Sequence, residues 1–218
     1  ELKWTAVGTG KALEMGRNCD VDVLLVHAPG AEATFVEEGH GVDRTQLMYN
    51  DFVIIGPASD PAGVAGMTVV DALATIAESG TPFVSRGDNS GTNKKELSLW
   101  KASGLTPDAE AWYVQTGQGM IATITVTEEK QGYTMTDRGT YIKYEANNDG
   151  NPVLKVLVEG DEILFNQYSA LAVNPDKCPS AKYDLAKQFI EWMASSSTQQ
   201  RIADFRLLEK QLFTPNAE

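Results

Sequence analysis

The sequence predicts an α/β protein of two lobes, each built on a mixed, mainly parallel sheet, and three observations lead there. The run VDVLLVHAP (residues 21–29) is continuously apolar, the pattern of a strand buried on both faces between layers of helix. Strand-like and helix-like stretches alternate along most of the chain, with Gly-Pro or Gly-rich turns between them. Two apolar runs, near residues 54–59 and 168–173, read as crossings: residues 1–56 and 170–218 pair as one lobe and residues 57–169 form the other. A crevice between two such lobes is a common place for a ligand.

Taken in order, LKWTAV (residues 2–7) alternates and is rich in strand formers, and it stops at GTG; KALEMG then supplies the first turns of a helix. TQLMYNDFVIIGP (45–57) is a further strand ended by Gly-Pro. MTVVDALATIAESG (67–80) has apolar residues at helical spacing and a glycine where the helix would end. TPFVSRG is a short strand, and SGTNKKELSLWKASG (90–104) a helix whose apolar face is Leu97, Leu99 and Trp100. AWYVQTGQGMIATITV (111–126) repeats this grammar of strand, Gly-rich turn and helix. VLKVLV (153–158) and NQYSALAVNP (166–175) are strand-like, and the amphipathic stretch 180–205 closes the chain as one or two helices. The tryptophans at 4, 100, 112 and 192 and the pair Tyr141/Tyr144 are expected in the core or at a lobe interface.

Composition excludes several functions. With 218 residues, 42% hydrophobic, the chain can bury a substantial core. A formal net charge of −12 argues against general affinity for nucleic acid or for an anionic membrane, since both need clustered Lys and Arg. No window approaches the roughly 18–20 apolar residues of a membrane span. Cys19 and Cys178 are too few for a disulfide scaffold, and without a CxxC or a nearby His they make no zinc site. One disulfide and two buried thiols both stay open. The chain opens on ELK without an initiator Met, as expected of a processed or partial product.

Three strand-to-helix turns carry the chemistry: GTGKAL at Gly8, SRGDNSGT at Ser85 and TGQGM at Thr116. A helix N-terminus offers unpaired N–H groups and the positive end of the helix dipole, so an anion can bind there without net positive charge. Glycines admit the ligand to the backbone, and Ser and Thr add hydroxyl donors. None of the turns has the GxxxxGK[ST] spacing of a nucleotide-hydrolysing loop. Ser90 sits in GDNSGT, not GxSxG, and only His27 and His40 could serve it as a base, so a hydrolase is disfavoured. His27 reads as the end of a strand and His40 as part of a solvated loop; Glu37/Glu38 and Glu128/Glu129 read as solvated faces.

The stretches AVGTGKALEMGRNCDVDVLLVHAPGAEATFVEEG, YNDFVIIGPASDPAGV, FVSRGDNSGTNKKELSLWKASG and WYVQTGQGM, in this order, resemble the substrate-binding component of the tungstate ABC transporter, a type II periplasmic-binding-protein fold. The resemblance runs over essentially the whole chain. It implies a non-enzymatic, monomeric protein without cofactor, periplasmic or otherwise extracytoplasmic and in some sources lipid-anchored, that closes on tungstate or molybdate and passes it to a membrane permease. By the same resemblance Arg86 is the cationic clamp, Ser90, Gly91 and Thr92 donate from the loop and helix start, Thr9 and Gly10 from the other lobe, and Gly119 and Met120 from the third turn. It also implies that ELKWTAVGTG is a second strand, with a first strand and a Thr/Ser-rich turn ahead of it. A phosphate-binding protein of the same fold uses a similar Arg with a Ser-Gly-Thr turn and is the alternative, as is an oxyanion-sensing module. Asp88 separates phosphate from tungstate: a free carboxylate acceptor would suit a ligand that keeps a proton.

Overall fold

A computed structural model describes residues 1–217. Its elements are α1 (Thr9–Arg17), β1 (Val23–Val26), α2 (Pro29–Glu37), β2 (Gly41–Pro57), α3 (Val69–Ser79), β3 (Phe83–Ser85), α4 (Gly91–Ala102), β4 (Tyr113–Gln115), α5 (Met120–Lys130), β5 (Thr134–Asp137), α6 (Arg138–Asn147), β6 (Leu154–Val158), β7 (Phe165–Val173), α7 (Tyr183–Ala194) and α8 (Ser196–Asp204). Three two-residue strands follow: β8 (Arg206–Leu207), β9 (Lys210–Gln211) and β10 (Thr214–Pro215). The chain forms two compact units. The first takes Glu1–Asn50, Asn166–Arg206 and the stretch from Gln211; the second takes Asp51–Phe165 and Leu207–Lys210.

In the first unit β1 pairs β7 antiparallel, from Val23 opposite Ala172 to Val26 opposite Ser169, and β10 pairs β2 antiparallel. Successive residues of a strand point to opposite faces, so the sheet serves two cores. Leu24, Val26 and Leu171 pack with Leu13 of α1 and Phe35 of α2, while Leu47, Ala170 and Ala172 pack with Ala186, Ile190 and Met193 of α7. Cys19, just past α1, is joined to Cys178 by a disulfide across 159 residues of sequence.

The second unit uses the end of β2 in the same two-faced way. Phe52 and Ile54 join Leu73 and Ile76 of α3, Leu99 and Trp100 of α4, and Phe83 and Tyr133 in one core. Val53 and Ile55 join Met120 and Ile124 of α5 and Tyr141 and Tyr144 of α6 in the other. β5 and β6 pair β2 antiparallel, with a register shift between Ile54 and Ile55. β3 and β4 are parallel, and Phe83 bridges in parallel to Tyr133 ahead of β5.

Several sequence expectations are corrected. In the first unit β1 runs antiparallel to β7 and β10 to β2, and in the second, among the described residues, only β3, β4 and the Tyr133 bridge are parallel. The run VLLV misled because it is not buried on both faces: Leu25 is 47% exposed. Residues 1–8 form no strand; Leu2, Trp4 and Val7 are exposed, and no described strand pairs with them to make the alternation pay off as a ladder. Trp4 and Trp192 are therefore surface residues, whereas Trp100 is fully buried. The inward face of α4 is Asn93, Glu96, Leu99 and Trp100, and Leu97 points outward. His40 packs against the Phe35 ring and its Nδ1 is buried without a partner, so it is not a solvated loop residue.

Candidate functional site

The parallel pairing of β3 and β4 sets two of the glycine-rich turns side by side. With Ser85 opposite Gln115, the Thr116 amide donates to Ser85 O at 3.0 Å and the Gly117 amide to Arg86 O at 2.8 Å. The Thr116 hydroxyl lies 3.0 Å from that of Thr123 and accepts from the Gln118 amide. In this way SRGDNSGT, leading into α4, is tied directly to TGQGM, leading into α5. Both helices point their N-termini out of the C-terminal end of a parallel pair, the place where open α/β sheets collect ligands.

The loop after β3 is held open by two left-handed residues, Gly87 (φ +58°) and Asn89 (φ +61°). Only glycine suits position 87, because a Cβ there would come within 2.8 Å of Gln115 Cβ. Between them Asp88 turns onto its own loop. Its Oδ2 accepts from Arg86 Nε at 3.1 Å and Nη2 at 2.5 Å, and its Oδ1 accepts from the Ser90 amide at 3.1 Å. Partial burial alone would raise the Asp88 carboxyl, but Ser90's hydroxyl and amide and the Arg86 guanidinium outweigh it and hold the carboxyl below its usual range. Asp88 is thus an ionised brace whose two oxygens are already engaged. Ser90 is the N-cap of α4, its hydroxyl accepting from the Asn93 amide, and the amides of Gly91 and Thr92 precede the first intrahelical bond, from Lys94 N to Ser90 O.

Helix N-termini differ sharply in whether they are already filled. Of the eight α-helices among the described residues, α1 and α5 start at glycine N-caps, Gly8 and Gly119, that make no side-chain cap bond. By contrast, Glu32 Oε1 takes the Ala28 amide at the start of α2. Thr68 and Asp161 serve α3, Asp137 caps α6, and Asp22 takes the Lys182 amide ahead of α7. The helices α4 and α8 carry hydroxyl caps from Ser90 and Ser195, and Asp88 Oδ1 takes the Ser90 amide at the start of α4. Of the three turns singled out in the sequence, those before α1 and α5 therefore lead into helices without a side-chain cap, and the one before α4 brings an arginine.

The structure brings Arg86, Ser90, Gly91, Thr92, Gly119 and Met120 together on the two linked turns of the second unit. The Met120 side chain is buried in the core, so that residue can offer only its amide. Thr9 and Gly10 begin α1 in the first unit. Sequence reasoning missed Ser85, Asn93 and Glu96. Ser85 Oγ donates to Glu96 Oε2 at 2.6 Å, and Glu96 Oε1 accepts from Tyr113 OH at 2.6 Å and Trp100 Nε1 at 3.1 Å. Burial raises the Glu96 carboxyl above its usual range, opposed by the donors from Ser85, Tyr113, Trp100 and Asn93. The available signal was spacing: Asn93, Glu96 and Trp100 share the face of α4 that carries Leu99.

The comparisons agree with this architecture. A family model described as a PBP superfamily domain matches residues 1–197. The tungstate-binding protein TupA of Campylobacter jejuni is 51% identical over 217 residues, which are 100% of this chain and 81% of that protein. Among solved structures, the tungstate binding protein TupA from Desulfovibrio alaskensis G20 is 71% identical with a TM-score of 0.98, covering 100% of this chain and 88% of the other. A structure described as the tungstate ABC transporter from Geobacter sulfurreducens is 48% identical with a TM-score of 0.72, covering 92% of this chain and 84% of its own. The chain belongs to the PBP superfamily, in the family of the tungstate-binding proteins TupA.

Proposed function

We propose that this chain binds tungstate, with molybdate as a compatible second ligand, and delivers it to the permease of an ABC transporter. The observation that carries the reading is the pair of linked turns, in which Arg86 and the helix-start amides of α4 and α5 converge on one end of β3 and β4. Tungstate and molybdate are proton-free dianions near neutral pH and need donors only. Arg86, Ser90, Gly91, Thr92, Gly119 and the amide of Met120 are the second unit's donors in this reading, and the uncapped amides of Thr9 and Gly10 are the first unit's. Hydrogen bonds to a charged partner contribute roughly 1.5–3 kcal/mol each, so several together outweigh the repulsion of a distant negative surface.

Asp88 argues against phosphate. Both of its oxygens are engaged by Arg86 and Ser90, which leaves no free acceptor for the proton that phosphate retains. The disulfide supports an oxidising, extracytoplasmic location, because such bonds persist there and are rare in the cytosol. No helix among the described residues is long and apolar enough to cross a membrane.

The test is calorimetric titration with tungstate, molybdate, sulfate and phosphate, for the natural protein and for Arg86→Ala. Saturable tungstate binding that weakens at least a hundredfold in the variant is the expected result. Binding of phosphate alone, or of no oxyanion, would overturn the reading.

A further inference from the structure

Behind the anion loop, in the interior of the second unit, lies a buried polar chain that the binding reading does not use. Glu96 is 3% exposed and Ser85 1%, and no Lys or Arg is among the hydrogen-bond partners of the Glu96 carboxylate. Ser85 Oγ accepts from the Gly87 amide at 3.2 Å and from Asn93 Nδ2 at 3.2 Å. A hydroxyl has two lone pairs, and these two donors take both, so its single proton has to be given away. Glu96 Oε2 receives it. Asn93, oriented by that contact, uses its Oδ1 to accept from the Asn89 amide at 3.0 Å. The amides so fixed, Gly87 and Asn89, are those of the two left-handed residues that flank Asp88 and direct Arg86.

We propose that Glu96 is the positioning residue of the anion loop: its carboxylate fixes the donor direction of Ser85 Oγ, and through Ser85 and Asn93 it sets the backbone at Gly87 and Asn89 that aims Arg86. This rests on reading SRGDNSGT as the anion loop. Glu96 touches no ligand. It acts through acceptor count, because a carboxylate takes Tyr113, Trp100 and Ser85 together, whereas an amide of the same size cannot. In Glu96→Gln the carbonyl oxygen can satisfy Tyr113 and Trp100, but the NH2 group then faces a Ser85 oxygen that is already full. One of the donors from Gly87 or Asn93 has to leave, and the loop loses its anchor.

The experiment measures tungstate affinity and residue-resolved amide exchange for the natural protein, Glu96→Gln, Ser85→Ala, Tyr113→Phe and Arg86→Ala. Tyr113→Phe removes a donor from Glu96 Oε1, the oxygen that Ser85 does not use, so it reports the cost of losing one donor to the same carboxylate. The proposal expects affinity at least tenfold lower in Glu96→Gln and Ser85→Ala, within threefold of natural in Tyr113→Phe, and faster exchange at Gly87 and Asn89 in the first two only. If Glu96→Gln does not fold, Ser85→Ala and Tyr113→Phe decide by the same criteria. Affinity within threefold of natural in Glu96→Gln and Ser85→Ala, with binding lost in Arg86→Ala, overturns this inference and leaves the proposed function standing. Natural protein that does not bind tungstate, or Arg86→Ala that binds as well as natural, overturns both.

Discussion

Replacing both cysteines, as Cys19→Ser with Cys178→Ala, removes a cross-link that closes 159 residues of chain. In the chain-entropy account the cross-link costs the unfolded ensemble about 17 cal/mol/K for a loop of that length, equivalent to about 5 kcal/mol at 25 °C. The substitutions themselves are mild, since Cys178 is buried and Ala keeps its Cβ while Cys19 lies at the more accessible end of the bridge. The loss should therefore appear mainly as an easier unfolded state, at about 3–5 kcal/mol, or roughly 7–11 °C in melting temperature for a chain of this size. Urea unfolding at 25 °C, followed by fluorescence without reductant, measures it, and the natural protein in reductant should approach the variant. A difference below about 1 kcal/mol with an unchanged urea slope would refute the reasoning, because it would mean the denatured chain keeps its ends together without the bond.

Gly87→Ala should cost about 1–3 kcal/mol of stability, from left-handed strain and the clash with Gln115, and should weaken tungstate binding in calorimetry. Gly80→Ala, at φ +66° but in open space at the end of α3, should show the strain alone and bind normally. Asp60 gives a pH test. Burial raises its carboxyl, but bonds from Tyr133 OH at 2.7 Å and from the amides of Ala65, Val64 and Gly63 lower it overall. A lowered folded value contributes stability that is present above the unfolded carboxyl's value and lost as pH falls through the folded one. Asp60→Asn should thus be less stable than the natural protein by about 1–2 kcal/mol at neutral pH, and the gap should close through the acid range in pH-resolved urea titrations.

How far the sequence could be read depended on whether a signal was local. The ends of α3 were legible because Thr68 and Gly80 are a cap and a left-handed stop, both decided within a few residues. The helix α6 was not, since its core of Thr, Tyr, Ile and Tyr consists of strand formers and its start is fixed by Asp137 capping Thr140. Strand direction is less local still. β1 and β7 are separated by most of the chain, and their antiparallel register is set by packing against α1, α2 and α7, which no run of apolar letters records. The LKWTAV alternation failed for the same reason: a strand needs a partner, and alternation says nothing about whether one is there.

The anion turns were legible from their letters, glycines beside Ser, Thr or Arg at a strand-to-helix junction, and the structure adds that two of the three helices so begun have no side-chain cap. Natural helices prefer Ser, Thr, Asp or Asn at the N-cap, and where this chain obeys that preference with a carboxylate, as at Asp137, the helix start already holds its anion. Gly8 and Gly119 forgo that side-chain bond, at a cost of only about 0.3 kcal/mol each relative to a good cap, and leave N–H groups that only a ligand or water can satisfy. The same logic explains how an acidic chain can hold a dianion. Salt screens exposed charges beyond about 8 Å, so the net charge of −12 is felt weakly at a site whose donors lie within hydrogen-bond reach. The carboxylates nearest to the loop are consumed internally, Asp88 by Arg86 and Ser90 and Glu96 by Ser85, Tyr113 and Trp100. What the sequence could not disclose was this second layer, because a buried glutamate on an apolar helix face looks like a defect until the three donors around it are seen.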